Sequence, residues 1–151
     1  MRMLYLGSDH GGFALKSELL KCLSLSNVPF KDMGTFDVSS CDYPEIAQHV
    51  AQEVQKSKDA FGVLVCRSGV GMCIAANKFK GIYAACLSTS DSVIKARQHN
   101  AINVLCLSGV LEFALAKTLV EAFLKTDLDK DVRHCKRREQ IYEIESKNFV
   151  A

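Results

Sequence analysis

The sequence predicts a protein of the α/β class, a single three-layer αβα domain around a five-stranded, mostly parallel sheet. Three observations carry this. Five short apolar runs, at 3–6, 28–33, 61–65, 82–87 and 104–107, recur along 151 residues. Between them lie stretches whose apolar residues repeat at helical spacing, and strands that alternate with helices assemble into parallel sheets. The run Phe61-Gly62-Val63-Leu64-Val65 is apolar without alternation, as suits a strand buried on both faces of such a sheet. Strand, glycine turn and helix in repeated succession make the arrangement Rossmann-like.

Residues 3–6 end in Gly7-Ser8-Asp9-His10-Gly11-Gly12, after which Phe13, Leu15, Leu19, Leu20 and Leu23 recur at mostly helical intervals. Asp9 and His10 therefore fall at the carboxyl end of the first strand, the edge where open parallel sheets place their ligands. An Asp before Gly-Gly also suits a plain turn cap. Residues 28–33 give a second strand, placed towards an edge by Pro29 and ended by Gly34. Pro44 fits the first turn of a helix carrying Ile46, Val50 and Val54 as its apolar stripe, with His49 beside the stripe as a structural residue.

The central strand runs through Cys66-Arg67-Ser68-Gly69-Val70-Gly71 into the helix start Met72-Cys73-Ile74-Ala75-Ala76. Ser88-Thr89-Ser90-Asp91 supplies N-cap candidates for a helix running to about Arg97, and Gln98-His99-Asn100-Ala101-Ile102-Asn103 interrupts it before the fifth strand. Those polar side chains need partners, either each other or a ligand. Ser108-Gly109 leads into a long amphipathic helix through Leu111, Leu115, Leu119 and Phe123, ending near Lys125. The loop 126–131 is charged and expected to be exposed, and a last helix, about 134–148, carries Ile141 and Ile144 on one side. Arg133 and Arg137 stand at i, i+4, so two guanidinium groups can converge on one phosphate.

With 48% hydrophobic residues the chain supports one domain, 1–151, with a real core. A formal charge of +2 is too mild to argue for nucleic acid, and the one dense basic run, Arg133 to Arg138, is local. No apolar stretch approaches membrane-spanning length, so no membrane partner is expected. Seven cysteines, an odd number without C-x-x-C spacing, lie mostly in apolar segments, and the N-terminal stretch meets Asp9 before any long apolar run forms. Reduced thiols and a cytoplasmic protein are the expectation.

A strand that passes through a glycine turn into a helix leaves backbone N–H groups facing outward, where an anion is held. Cys66 sits at that point, and both the helix start and Arg67 favour its thiolate over its thiol, so it can serve as base or nucleophile. The plain alternative is a buried cysteine ending a strand.

Taken together, Gly7-Ser8-Asp9-His10-Gly11-Gly12, Asp42-Tyr43-Pro44, Cys66 with Ser68-Gly69-Val70-Gly71, Ala75-Ala76-Asn77-Lys78, Arg97-Gln98-His99-Asn100 with Asn103-Val104-Leu105, and Arg133-His134-x-x-Arg137 resemble the ribose-5-phosphate isomerase B family. The wider family includes the galactose-6-phosphate isomerase subunits. The match is collinear over nearly the whole chain. It implies an aldose-ketose isomerase of the pentose phosphate pathway acting on a phosphorylated sugar. It also implies that the enzyme works without metal or organic cofactor, as a homodimer or dimer of dimers with sites at the subunit interface. Carried over position by position, Cys66 is the base and His99 promotes ring opening. Asp9, His10, Tyr43 and Asn100 contact substrate; the backbone of Arg67, Ser68, Gly69, Val70 and Gly71 holds the enediolate oxygens; and Arg133 and Arg137 bind phosphate. The C-terminal helix is expected to pack on the partner subunit.

The chemistry of the residues agrees with those roles. Proton abstraction beside a carbonyl needs a base within reach of carbon and fixed donors where negative charge develops. Remote arginines align the reacting carbons through phosphate binding. Two positions depart from the family pattern. Arg67 stands where a small residue, often glycine, is usual, and Val110 stands where an arginine is usual. The expectation is that Arg67 restores the missing cation from the opposite side of the pocket; the alternative is a pocket shifted towards a six-carbon 6-phosphate. Cys66-Arg67-Ser68 is also similar to a segment of low-molecular-weight tyrosine phosphatases. That chemistry sets its cysteine six positions before the arginine, yet position 61 is Phe61, and six positions after Cys66 stands Met72. A non-catalytic sugar-phosphate binding protein would keep Arg133 and Arg137 but would not need Cys66 and His99 together.

Overall fold

The computed structural model describes residues 2–149. In chain order the elements are β1 (Met3–Ser8), α1 (Phe13–Ser24), β2 (Phe30–Asp32), α2 (Tyr43–Gln55), β3 (Ala60–Cys66), α3 (Val70–Ala76), β4 (Ala84–Cys86), α4 (Ser90–Asn100), β5 (Val104–Ser108), α5 (Phe113–Lys125) and α6 (Val132–Asn148). The five strands form one sheet in the order β2-β1-β3-β5-β4, every pair parallel. The chain therefore winds outward from β1 to β2, then crosses to the other side of β1. Between β1 and β3 the direction of winding reverses, and at such a switch point the carboxyl ends of the strands leave a crevice.

β3 is the middle strand and all seven of its residues are buried. Phe61, Val63 and Val65 pack on one face with Leu15 and Leu19 of α1, Val93 of α4 and Leu119 and Phe123 of α5. Leu64 and Cys66 face the other way, against Ala47 and Val50 of α2 and Met72 and Ala76 of α3. Each fully buried aliphatic or aromatic side chain contributes about 1.5–3 kcal/mol, so β3 alone anchors both layers. Lys16 of α1 is fully buried, and its Nζ donates to Asp32 Oδ1 at 2.5 Å and to the Thr35 carbonyl at 2.6 Å. This tie fastens the loop after β2 to α1.

The edge strands are shorter than the apolar runs suggest: β2 keeps only 30–32 and β4 only 84–86. Each pairs on one side alone, so the flanking residues have no second ladder to hold them extended. The fourth helix, by contrast, does not stop near Arg97. It runs on through Gln98, His99 and Asn100 and closes at Ala101, which takes φ +58°. No breaker precedes Ala101, and Arg97 is buried with its guanidinium 4.8 Å from the Phe61 ring centre, donating to the Ile102 carbonyl. Thr89 is the N-cap, its hydroxyl accepting from the Ser92 N–H. His49 is exposed on α2. No helix among the described residues is long and apolar enough to cross a membrane.

Candidate active site

The expected site residues fall into two clusters. The first stands at the carboxyl edge of the sheet, at the switch point. Asp9 is buried; its backbone N–H donates to the Val65 carbonyl, and its Oδ1 accepts from the Gly12 N–H at 3.0 Å. His10 is exposed and its Nδ1 accepts from the Cys41 N–H at 3.2 Å, so a neutral His10 carries its proton on Nε2. Cys66 ends β3 at 4% exposure, and the Gly69 N–H donates to its Sγ at 3.1 Å. Gly69 holds φ +79°, the left-handed region open to glycine, which folds the turn back over the sulfur. Tyr43 begins α2 and lies flush on Gly71, where a Cβ would come within 2.5 Å of its ring. Arg67, Ser68 and Val70 are exposed around the turn.

Arg67 and Val110 are neighbours at this edge. Ser108 Oγ donates to the Arg67 carbonyl at 2.7 Å and accepts from the Val110 N–H at 3.4 Å, so one hydroxyl joins both backbones. The Arg67 backbone thus lies beside the Val110 loop, and its side chain is exposed.

The second cluster stands at the other edge. α4 brings the chain from the carboxyl end of β4 back to the start of β5, which leaves His99 and Asn100 at the amino edge. Here the His99 and His134 rings stack, centroids 3.9 Å apart. His134 Nδ1 lies 2.8 Å from Asp129 Oδ2, and His99 Nε2 lies 4.0 Å from the same oxygen. Arg138 clamps the corner, donating to the carbonyls of Gln98, His99 and Asp129. Arg133 is exposed and holds Asp131 in a two-pronged pair, Nε to Oδ1 at 3.1 Å and Nη2 to Oδ2 at 2.9 Å. Arg137 and Asn100 are exposed beside it.

The structure thus joins Asp9, His10, Tyr43 and Cys66–Gly71 on one side, and His99, Asn100, Arg133 and Arg137 on the other. It does not bring the two sets together within one chain. Cys66 registers with Ser108 and Gly62 with Val104; four residues of strand span about 13 Å, and His99 lies beyond Val104.

Charge at the amino edge follows from hydrogen bonds. The Arg133 side chain and N–H hold the Asp131 carboxyl well below the usual range and are themselves favoured in return. The Asp131 N–H, aided by His134, lowers Asp129 as well. Tyr83, beside the start of β4, is pushed up to about 12 by burial and by the Glu145 carboxylate that its hydroxyl meets at 3.0 Å. Among the thiols near the turn, the Cys106 hydrogen bond brings Cys73 down to about 7, while burial raises Cys86.

Three residues of the amino edge carry no expected role from the sequence: Asp129, His134 and Arg138. The loop 126–131 is charged as expected, but Asp129 within it is half-buried, its N–H donating to the Gln98 carbonyl. The signal for His134 lay in its position inside Arg133-His134-x-x-Arg137. Asn103, in contrast, serves structure: its amide bridges the Gly81 carbonyl and the Tyr83 N–H.

Fold and edges together define the class: a Rossmann-like three-layer α/β protein with a thiol under backbone donors at one edge and imidazoles among guanidinium groups at the other. The family model described as Ribose/Galactose Isomerase matches residues 4–141, and the chain belongs to that family. The ribose-5-phosphate isomerase B of Escherichia coli is 40% identical over 148 residues, covering 97% of this chain and 99% of that protein. The solved structure of ribose-5-phosphate isomerase B from Clostridium thermocellum superposes with TM-score 0.90 at 37% identity, covering 96% of this chain and 98% of that one. The Mycoplasma genitalium ribose-5-phosphate isomerase B, solved with bound ribulose-5-phosphate, gives TM-score 0.90 at 34% identity over 97% of each chain.

Proposed function

We propose that the protein interconverts D-ribose 5-phosphate and D-ribulose 5-phosphate through an enediolate, without metal or organic cofactor, in a site assembled from the carboxyl edge of one copy and the amino edge of another. The observation that carries this reading is the Cys66 sulfur held under the Gly69 N–H at the switch point of the sheet. A base set against fixed backbone donors is what removal of a proton beside a carbonyl requires.

Cys66 moves the proton between C2 and C1, and the N–H groups of the turn from Arg67 to Gly71 hold the developing oxyanion. Asp9, His10 and Tyr43 contact the sugar from the same edge. The second copy supplies His99, which exchanges a proton with the ring oxygen, together with Asn100 and the phosphate-binding pair Arg133 and Arg137. To meet phosphate, Arg133 must share its guanidinium with Asp131, so Arg137 is the freer cation.

An assembly of two copies also accounts for apolar surface that one copy leaves open. α6 seats its far end by Glu145, which accepts from the Gly81 N–H at 2.6 Å, yet exposes Ile141, Tyr142 and Ile144. On α3, Val70 and Ile74 are likewise exposed. A homodimer, or a dimer of dimers, covers these faces, with α6 packed on its partner and 1–151 folding as one domain. Seven free thiols fit a reducing, cytoplasmic setting, and the reaction belongs to the non-oxidative branch of the pentose phosphate pathway. The exchange of an arginine for Val110, with Arg67 alongside, favours one second reading: a six-carbon 6-phosphate as preferred substrate.

The test is turnover of ribose 5-phosphate to ribulose 5-phosphate with chelator present, run beside galactose 6-phosphate and allose 6-phosphate. Cys66→Ala is expected to lower kcat by at least about 100-fold while sugar-phosphate binding persists. No turnover of any of these sugars by the wild-type protein rejects the reading.

A further inference from the structure

The trio His99, Asp129 and His134 is more than a hydrogen-bonded corner. Its three donor atoms lie within 4.8 Å of one another, one from the last turn of α4, one from the loop before α6 and one from the first turn of α6. We propose that this trio binds a first-row divalent cation that favours imidazole, Zn²⁺ above all, and that the occupied site is a reversible off-state of the protein.

The donor atoms are near enough to share one ion once a ring turns, since the His99 and His134 rings stack at 3.9 Å with 26° between their planes. Tetrahedral Zn²⁺, with bonds of about 2.0–2.2 Å, sets its ligands roughly 3.3–3.5 Å apart. His134 Nδ1 and Asp129 Oδ2 are 2.8 Å apart, and His99 Nε2 and Asp129 Oδ2 are 4.0 Å apart. Those two separations change by roughly half an ångström or more, and the His99 and His134 nitrogens draw together as one ring rotates out of the stack, a torsional change within reach of a histidine side chain. His99 and His134 keep 35% and 16% of their side-chain surface, so an ion and its water can reach the corner.

The surroundings already hold the ligands in place. Asp129 Oδ1 is taken by the Asp131 N–H at 2.6 Å, which leaves Oδ2 for the ion. The Arg138 guanidinium faces the carbonyls of Gln98, His99 and Asp129 and the Cys135 sulfur, and so fixes the backbone at two of the ligands without taking the carboxylate. Such outer partners orient ligands and tune affinity. Binding through His134 Nδ1 requires the neutral imidazole with its proton on Nε2, a tautomer change with no redox step; a protonated ring releases one proton to water. Two imidazoles and one carboxylate select Zn²⁺, Co²⁺ or Ni²⁺ over Mg²⁺ and Ca²⁺, and leave an open position. The ion takes the Nε2 lone pair of His99, and the loss of activity that follows rests on the role proposed for His99 above; the binding does not.

Co²⁺ added to the chelator-stripped intact protein tests the site. The expected result is one Co²⁺ per chain with visible d–d absorption, no thiolate charge-transfer band in the near ultraviolet, and displacement by Zn²⁺. Asp129→Asn and His134→Gln, each checked for native circular dichroism, are expected to weaken binding about tenfold or more. A thiolate band, affinity unchanged in both variants, or no binding overturns the site. In a second arm, Zn²⁺ is expected to stop sugar-phosphate turnover, EDTA to restore it, and Asp129→Asn to need about tenfold more Zn²⁺ for the same inhibition. Binding at the trio with turnover untouched by Zn²⁺ overturns the off-state. A wild-type protein with no turnover at all defeats the isomerase reading, while the Co²⁺ arm still decides the site.

Discussion

Cys66 and His99 stand at opposite edges of one parallel sheet: Cys66 closes β3, while His99 lies in the final turn of α4, just before β5 begins. This separation follows from connectivity. In a parallel sheet every helix returns the chain from the carboxyl edge to the amino edge, so a residue that ends a helix and a residue that ends a strand are held a strand length apart. The proposed two-fold pair of chains would resolve it, because a self-complementary contact would set the edge of each copy against the other edge of its partner and form two equivalent sites.

The turn over the Cys66 sulfur depends on Gly69. A Cβ there would lie 2.8 Å from Cys86 Sγ and 2.9 Å from the Leu107 carbonyl carbon, on top of the cost of φ +79°. Gly81 has the same φ with nothing within 4 Å of a built Cβ. Gly81→Ala is therefore expected to cost about 1–2 kcal/mol from backbone conformation alone, and Gly69→Ala about 1–3 kcal/mol more through overpacking, with loss of turnover. Chemical denaturation of both variants reads the difference.

Glu145 and Tyr83 give a pH dependence. Tyr83 ionises near 12 in the folded protein, above its ordinary value of 10. The unfolded chain therefore loses this proton first as pH rises, so the contribution is fully present below pH 10 and is lost between about 10 and 12. Stability measured across that window is expected to fall, and the fall is expected to be smaller in Tyr83→Phe. Glu145→Ala leaves the Gly81 N–H and the Tyr83 hydroxyl without their acceptor and is expected to destabilise the protein by about 1–3 kcal/mol at neutral pH.

Arg67 carries a charge that Val110 lacks, and the Ser108 hydroxyl joins their two backbones. Arg67→Gly is expected to lower kcat/KM on ribose 5-phosphate about tenfold or more, the loss of one charged hydrogen bond, and Val110→Arg in the same background is expected to recover part of it. Steady-state kinetics on the two variants and the wild type settles whether the cation matters.

Much of this was readable from residue patterns. β3 stood out because Phe61 to Val65 are buried on both faces, and the carboxyl-edge cluster followed from where Asp9 and Cys66 end their strands. The edge strands β2 and β4 are shorter than their apolar runs, since hydropathy does not report that each has one partner. The polar run Gln98-His99-Asn100 suggests a loop, yet the helix breaks only at Ala101. The burial of Lys16 and the half-burial of Asp129 leave no mark in the sequence: their partners, the Thr35 and Gln98 backbones, come from distant parts of the chain. The division of these residues between two edges follows from connectivity, since Cys66 ends a strand and His99 ends a helix.

The most direct measurement is complementation between inactive copies. Cys66→Ala and His99→Asn are each expected to be inactive alone. When the two are unfolded together and refolded as a mixture, half of the dimers are mixed and each of these carries one intact site, so about a quarter of wild-type turnover should return. Recovery at that level is what a site shared between copies requires; a mixture as inactive as its parents would contradict it.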